Sequence, residues 1–297
     1  MRLHRWAAGL VLALGCSSGS AEPVEPETTG TPAETATAAA VESATATVPT
    51  ASASATTAPK PKGPAREAYA TTKETDAVVA ATDRSADDRA LDDGRRPSEM
   101  LAFFGVAPGM KVAEIGAGGG YTSELFARAV GAKGKVFGQN SKMILERFAE
   151  KPWSERLKKP IMKNVVRVDR EFDDPLPAQA KDLDGVYVVL FYHDLYWQNV
   201  DRKKMNEKIF ASLKKGGFYG VIDHTAAAGA GESQVKTLHR IEESTVKKDI
   251  EAAGFVLVRE GNFLRNPDDT LDWNDSPKEA GDKRGKSDRF ALLFKKP

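Results

Sequence analysis

Four histidines occur in 297 residues, and the placing of three of them is the first chemical signal. His193 and His224 each stand beside an aspartate, in the steps His193-Asp194 and Asp223-His224. Each step directly follows an apolar run that reads as a strand, ending in Val188-Val189-Leu190-Phe191 in one case and Val221-Ile222 in the other. His239 lies farther on, in Leu238-His239-Arg240-Ile241-Glu242, and His4 falls in the N-terminal apolar segment. Imidazole titrates near neutrality, so it can take a proton from a nucleophile, and a carboxylate beside it can fix its orientation. The pattern predicts His193 or His224 as a base, with Asp194 or Asp223 as the orienting group and His239 as a further candidate. The same side chains also contain a two-His-plus-carboxylate set of the kind that binds metals. No HExxH or His-x-His spacing singles such a set out, so no metal is assigned. A third reading makes these residues polar strand ends satisfied by loop backbone.

A second stretch is chemical through what it lacks. Lys111 to Tyr121 reads KVAEIGAGGGY, an apolar run stopped by Gly116-Ala117-Gly118-Gly119-Gly120. Tyr121, Leu125, Phe126 and Val130 then recur at the spacing of one buried helix face. Strand, glycine turn and helix follow in succession. Glycines let the backbone turn tightly and approach a ligand closely, and the helix start offers N–H groups to a polar ligand. A dinucleotide fingerprint needs a glycine where Tyr121 stands, so that pattern fails.

Strand and helix patterns then alternate, which predicts a parallel sheet with helices on both faces. Strands are expected at 134–140, 164–169, 184–191, 217–223 and 255–258, with a last one at 290–294. The final two have no helix between them, which makes the last strand antiparallel. In such sheets ligands sit beyond the carboxyl ends of the strands. The glycine turn and both His-Asp steps are therefore expected on one rim. Gln139 and Asn140, at the end of the second strand, stand where a ribose is usually met. Ser141 caps a helix carrying Met143, Ile144, Leu145 and Phe148. Tyr192, Tyr196 and Trp197 either wall a substrate pocket or belong to the core. The polar run from Asp92 to Pro97 is expected over the site mouth, where Arg95 and Arg96 meet a carboxylate or solvent. Residues 263–277, with Leu271 and Trp273, are expected to fold back as a lid, and 278–289 to stay mobile.

Taken together, EIGAGGGY, YHDLYW, VIDH, LHRIEESTV, AAGF and FLRNPDDTLDWNDSP resemble an exported group of class I S-adenosylmethionine-dependent methyltransferases. The resemblance spans about Tyr69 to Pro297. It implies a Rossmann-like α/β fold with a seven-stranded, mostly parallel sheet and S-adenosylmethionine as cofactor. The positions it assigns to the cofactor are Glu114, Gly116, Ala117, Gly118, Gly120 and Tyr121, then Gln139 and Asn140, with Asp169 beside the adenine. It implies methyl transfer to a small-molecule substrate whose identity it leaves open. A non-catalytic nucleoside-binding protein on the same fold and a metal-dependent hydrolase are the alternatives.

Composition fits this reading. The 43 basic and 42 acidic residues leave a net charge of +1, which gives no global bias toward nucleic acid. Residues 1–15 show a basic start, a short apolar core and Gly15 before Cys16, a pattern expected of a secretory signal. Leu12-Ala13-Leu14-Gly15-Cys16 resembles a bacterial lipobox, which implies a lipid on Cys16 and a periplasm-facing lipoprotein of the cell envelope. Its contact with the membrane would be that anchor alone. Residues 16–66, rich in Ala, Thr, Pro and Ser, read as a disordered tether, and 67–297 as the folded domain. Oligomeric state is not legible.

Overall fold

The computed structural model describes residues 63–297, within a compact unit that spans 58–297. The expected signal, Cys16 and nearly all of the expected tether lie outside the described residues. Among the described residues no helix is long and apolar enough to cross a membrane.

The N-terminal part is helical: α1 Lys73–Ala80, α2 Ala86–Arg89, α3 Asp92–Arg95 and α4 Pro97–Phe104. Thr72 and Thr75 form a reciprocal cap on α1, and Pro97 opens α4 with its fixed φ. Then β1 (Lys111–Ile115) leads through the glycine turn into α5 (Tyr121–Val130), and β2 (Lys135–Asn140) follows. The segment expected as one helix after Ser141 is broken into three: α6 (Lys142–Ile144), a π-helical turn (Leu145–Ala149) and α7 (Glu150–Leu157). Within it Phe148 faces out, 66% exposed, rather than joining a buried face. Next come β3 (Val165–Asp169), β4 (Leu183–Val189), α8 (Tyr192–Trp197), α9 (Arg202–Ser212) and β5 (Leu213–His224). The last elements are α10 (Glu243–Glu251), β6 (Val256–Gly261) and β7 (Arg289–Lys295).

The seven strands form one sheet in the order β3-β2-β1-β4-β5-β7-β6. β7 runs antiparallel to both β5 and β6, and the other pairs are parallel. This is the expected Rossmann-like class I methyltransferase fold. The central strands are apolar without alternation: Val112, Ala113, Val186, Val188, Val221 and Leu292 are fully buried. Helices cover both faces of such strands, so neither face is left to water. Phe104 and Phe126 stack on Tyr187 from β4, at 4.6 and 4.9 Å between centroids. The carboxyl ends of β1 to β5 are thereby fixed as one rim.

Two expectations about the chain's end change. Residues 263–277 do fold back, but as a packed brace rather than a free lid. Arg240 and Asp269 pair at 2.8 Å with neither side chain exposed, and Arg240 lies under the Trp273 ring. Ser287, Asp288 and Arg289 are buried, so this end of the expected mobile run is part of the core. Its polar groups are satisfied internally, Arg265 pairing with Asp288 and Arg289 donating to Ser287 and to the Gly94 carbonyl, which is what allows burial.

Candidate active site

The glycine turn is held from below. The Gly116 N–H donates to Gln139 Oε1 at 3.1 Å, and the Gly118 N–H donates to Asn140 Oδ1 at 2.8 Å. Asn140 Nδ2 returns a bond to the Gly118 carbonyl, and Gln139 Nε2 donates to the Arg170 carbonyl. Both amides are fully buried. Gln139 and Asn140 were expected to meet a ribose, but the structure spends their bonding capacity on shaping the turn. Glu114 sits beneath the same turn and accepts a short bond from the Ser123 hydroxyl. Burial pushes its carboxyl up to about 7, against the pull of the Ser123 and Thr122 hydroxyls.

The turn is also covered from above more than expected. The Phe191 ring lies against Gly116, where an added Cβ would come within 2.5 Å of it. Trp153 packs against Gly120 and Gly138 in the same way. Gly118, at φ +54°, is the glycine of the turn that faces open space. Ala117 and Tyr121 are buried, and the Tyr121 hydroxyl donates to Asp92 at 2.7 Å. Asp169 ends β3 but pairs with Arg167 on the outer surface at 2.9 Å.

Two hollows flank this turn on the rim. One, of about 530 Å³, lies beyond β2 and β3 and is lined by Ser141, Met143, Glu171, Phe172 and Trp197 among others. Phe172 packs on Phe191 at 5.1 Å, so the Phe191 ring stands between this hollow and Gly116 of the turn. The other, of about 10 Å³, lies beyond β1, β4 and β5, between Arg95, Arg289, Tyr121, Thr122, Leu190 and Ile222. Arg95 lies 4.5 Å from the centroid of the Tyr121 ring. Burial depresses both guanidiniums, Arg289 to about 10. The void has room for no more than about one water molecule. Arg95 was visible in the sequence; Arg289, at the start of an apolar strand, was not.

The histidines converge. His193 is the second residue of α8, which follows Leu190, a non-glycine residue at φ +56° that turns the chain off β4. Its Nδ1 lies 2.7 Å from Asp223 Oδ1, and its backbone N–H donates to Asp223 Oδ2, also at 2.7 Å. Its Nε2 lies 3.3 Å from His239 Nδ1 and 3.3 Å from Asp194 Oδ1. The His193 and His224 rings are 5.6 Å apart. Burial alone would depress His193, but Asp223 and Asp194 outweigh it and raise the ring to about 10. A ring raised in this way is a poor base for an acceptor's proton. His224 goes the other way. Burial, with Arg289 nearby, lowers it to about 4 despite Asp275. It is enclosed by Ser287 at 2.9 Å and by Asp275, and is buried. His239, with a 27% exposed side chain, is the ring of the three that solvent reaches best.

Trp197 connects the hollow to this cluster. Its ring lines the large hollow, and its Nε1 donates to Asp194 Oδ1 at 2.6 Å. Tyr192 and Tyr196 belong to the layer beneath, where their hydroxyls donate to Asp249. Asp275 and Ser287, which enclose His224, were not singled out in the sequence. Each is one polar residue among several, Asp275 between Asn274 and Ser276 and Ser287 between Lys286 and Asp288, with no local pattern to mark it.

The family described as Protein-L-isoaspartate(D-aspartate) O-methyltransferase (PCMT) matches residues 75–168, from α1 to the end of β3. The fold is that of the class I methyltransferases. No curated protein matches the sequence. Among solved structures, a putative sarcosine dimethylglycine methyltransferase from Galdieria sulphuraria is similar, with a TM-score of 0.50 and 17% identity, covering 78% of this chain and 94% of its own. A SAM-dependent methyltransferase from Aquifex aeolicus gives 0.49 and 19%, covering 76% and 100%. Fibrillarin from Aeropyrum pernix, solved with natively bound S-adenosyl-L-methionine, gives 0.40 and 12%, covering 64% and 67%. At these identities the likeness is one of fold.

Proposed function

We propose that this protein is an S-adenosylmethionine-dependent methyltransferase acting on a small acceptor that reacts as an anion. The observation that carries the reading is a meeting at one rim: the 530 Å³ hollow beside the glycine turn touches the histidine cluster through Trp197. The hollow has the size of ordinary small-ligand sites, which run from about 300 to 1,000 Å³. The methyltransferase family match over β1 to β3 supports the choice of cofactor.

When bound, S-adenosylmethionine supplies a sulfonium methyl group for in-line displacement. The residues present fit it as follows. Met143, Phe172 and Trp197 offer apolar walls for the adenosine. Gly118 leaves room at the turn. His193, fixed by Asp223 and facing Asp194 and His239, is placed to orient an acceptor. His239 is the ring an acceptor can reach, and so the candidate to remove its proton. Most of the rate enhancement would come from alignment. The matched segment stops before β4, so the isoaspartate acceptor in that family's description is not carried over.

The reading extends to place. We assign residues 1–15 to an export signal and Cys16 to a lipid anchor that holds the domain in the envelope. Cys16→Ser is expected to move the protein from the membrane fraction to the soluble one; membrane retention by that variant would remove the anchor.

Calorimetry on the purified full chain tests the cofactor. S-adenosylmethionine is expected to bind at one site per chain, and Gly118→Arg, which fills the open space at the turn, is expected to abolish it. If the wild type gives no heat with S-adenosylmethionine, the reading fails. Binding without turnover on any envelope extract would favour the non-catalytic alternative.

A further inference from the structure

We propose that His193 Nε2, His239 Nδ1 and one Asp194 carboxylate oxygen form a binding site for a divalent transition-metal ion of the zinc class. The assignment rests on the geometry of the cluster and goes beyond the cofactor reading.

The three atoms form a nearly equilateral triangle. Nε2 to Nδ1 is 3.3 Å, Nε2 to Oδ1 is 3.3 Å, and Nδ1 to Oδ1 is 3.5 Å. Three corners of a tetrahedron around an ion with bonds of about 2.1 Å stand about 3.4 Å apart. One face of an octahedron at the same bond length gives about 3.0 Å. The observed edges match the tetrahedral case, with one position left over. Two imidazoles and a carboxylate are the donor set of open, catalytic sites for such ions, whereas calcium and magnesium prefer oxygen.

The surroundings have the form of a metal site as well. Asp223, fully buried, takes both the Nδ1 side of His193 and its backbone N–H, which fixes the ring with Nε2 pointing into the triangle. A carboxylate behind a ligating imidazole is the usual outer support of such a ligand. Asp194 is likewise oriented by the Trp197 N–H. His239 is placed by strained backbone, at φ +53°. That conformation is braced on both sides: before it, Leu238 N–H donates to the Gln234 carbonyl, and after it, Arg240 is bonded to Thr225, Trp273 and Asp269. Strain kept at one non-glycine residue and braced by neighbours is a mark of a functional position. The triangle is sealed on the His193 side, 4% exposed, and open on the His239 side, 27% exposed. A fourth ligand, water or an acceptor oxygen or sulfur, can enter there.

The test uses the full chain without a polyhistidine tag, purified in detergent and stripped with a chelator. Cobalt(II) is the probe, with zinc as competitor. One equivalent is expected to bind, with the strong visible absorption of low-coordinate cobalt. His239→Ala and Asp194→Asn are each expected to weaken binding by about 100-fold, and Asp223→Asn by about 10-fold through loss of ring orientation. His193 is buried and its removal risks unfolding, so its replacement is not used. No saturable cobalt or zinc binding by the wild type overturns the site. So does unchanged affinity in either ligand variant with a native circular dichroism spectrum. Heat of S-adenosylmethionine binding is measured on the same samples. Loss of metal with retained cofactor binding would separate failure of this site from failure of the cofactor reading.

Discussion

On the β3-β2-β1 side of the rim, the glycine turn is held mainly by neutral groups, with Arg156 donating to the Gly119 carbonyl. Two amides at the end of β2 hold the glycine turn, and two aromatic rings cover it. On the β4-β5 side, charged side chains are gathered from far apart: His193 and Asp194 after β4, Asp223 and His224 at the end of β5, His239 from a loop, Asp275 and Ser287 from the C-terminal brace. The first side is a shape, and removing one hydrogen bond from it leaves neutral atoms. The second is a balance of charge, in which each group's protonation depends on the others. The two sides should therefore fail differently when perturbed.

The largest expected effect comes from the brace. Arg240→Ala leaves the Asp269 carboxylate buried without its cation, and breaking a buried pair in this way costs about 3–5 kcal/mol. Asp269 also accepts from Leu271, Trp273 and Asp288, so its loss of balance spreads through residues 269–288. Chemical denaturation of the variant should show that loss. Cofactor binding at saturating folded fraction should survive, because no residue of the 530 Å³ hollow touches the brace. If Arg240→Ala destroys cofactor binding in folded protein, the two sides are not separable.

The next effect belongs to the glycine side and is set by pH. Glu114 has a folded value of about 7 against an ordinary 4.5, because burial disfavours its charge. The folded state thus binds a proton that the unfolded state has released between these values. The stability contributed by Glu114 is full below about 4.5 and is lost as pH rises through about 7. The difference of about 2.5 units corresponds to about 3 kcal/mol at most. Glu114→Gln removes the titration. Its stability relative to the wild type should rise between pH 5 and pH 8, as read from urea unfolding at both. A constant difference across that range would show that the carboxyl ionises at its ordinary value.

What could be read in the sequence follows the same division. The glycine turn, the succession of strands and helices and the antiparallel end were legible because each leaves a local mark: an apolar run, a breaker, a helix period. The His-Asp steps were legible as residues, and their meeting followed from strands being adjacent. Their roles were not. That His193 is raised and His224 lowered depends on Asp223, Asp194 and Arg289, up to 65 positions away. Likewise, Gln139 and Asn140 were placed correctly at the end of β2, but the direction of an amide is decided by tertiary partners. Local pattern places a side chain on the rim and is silent about what it faces.

The smallest expected effect tests whether the turn is shaped for a ligand or for its own packing. Gly118 and Gly120 both have left-handed backbones, at φ +54° and +82°. Alanine at either carries the strain of that region, about 1–2 kcal/mol. At Gly120 the added Cβ would also come 2.3 Å from Trp153, and overpacking adds about 1–3 kcal/mol. At Gly118 it meets nothing within 4 Å. Gly120→Ala should therefore be the less stable of the two in denaturant, by about 1–3 kcal/mol. Cofactor affinity should order them the other way, since the Gly118 methyl group projects into the space left open on the rim. Equal affinities would mean that the open side of the turn is not where the cofactor lies, and the hollow beyond β2 and β3 would then have to hold it without help from the glycines.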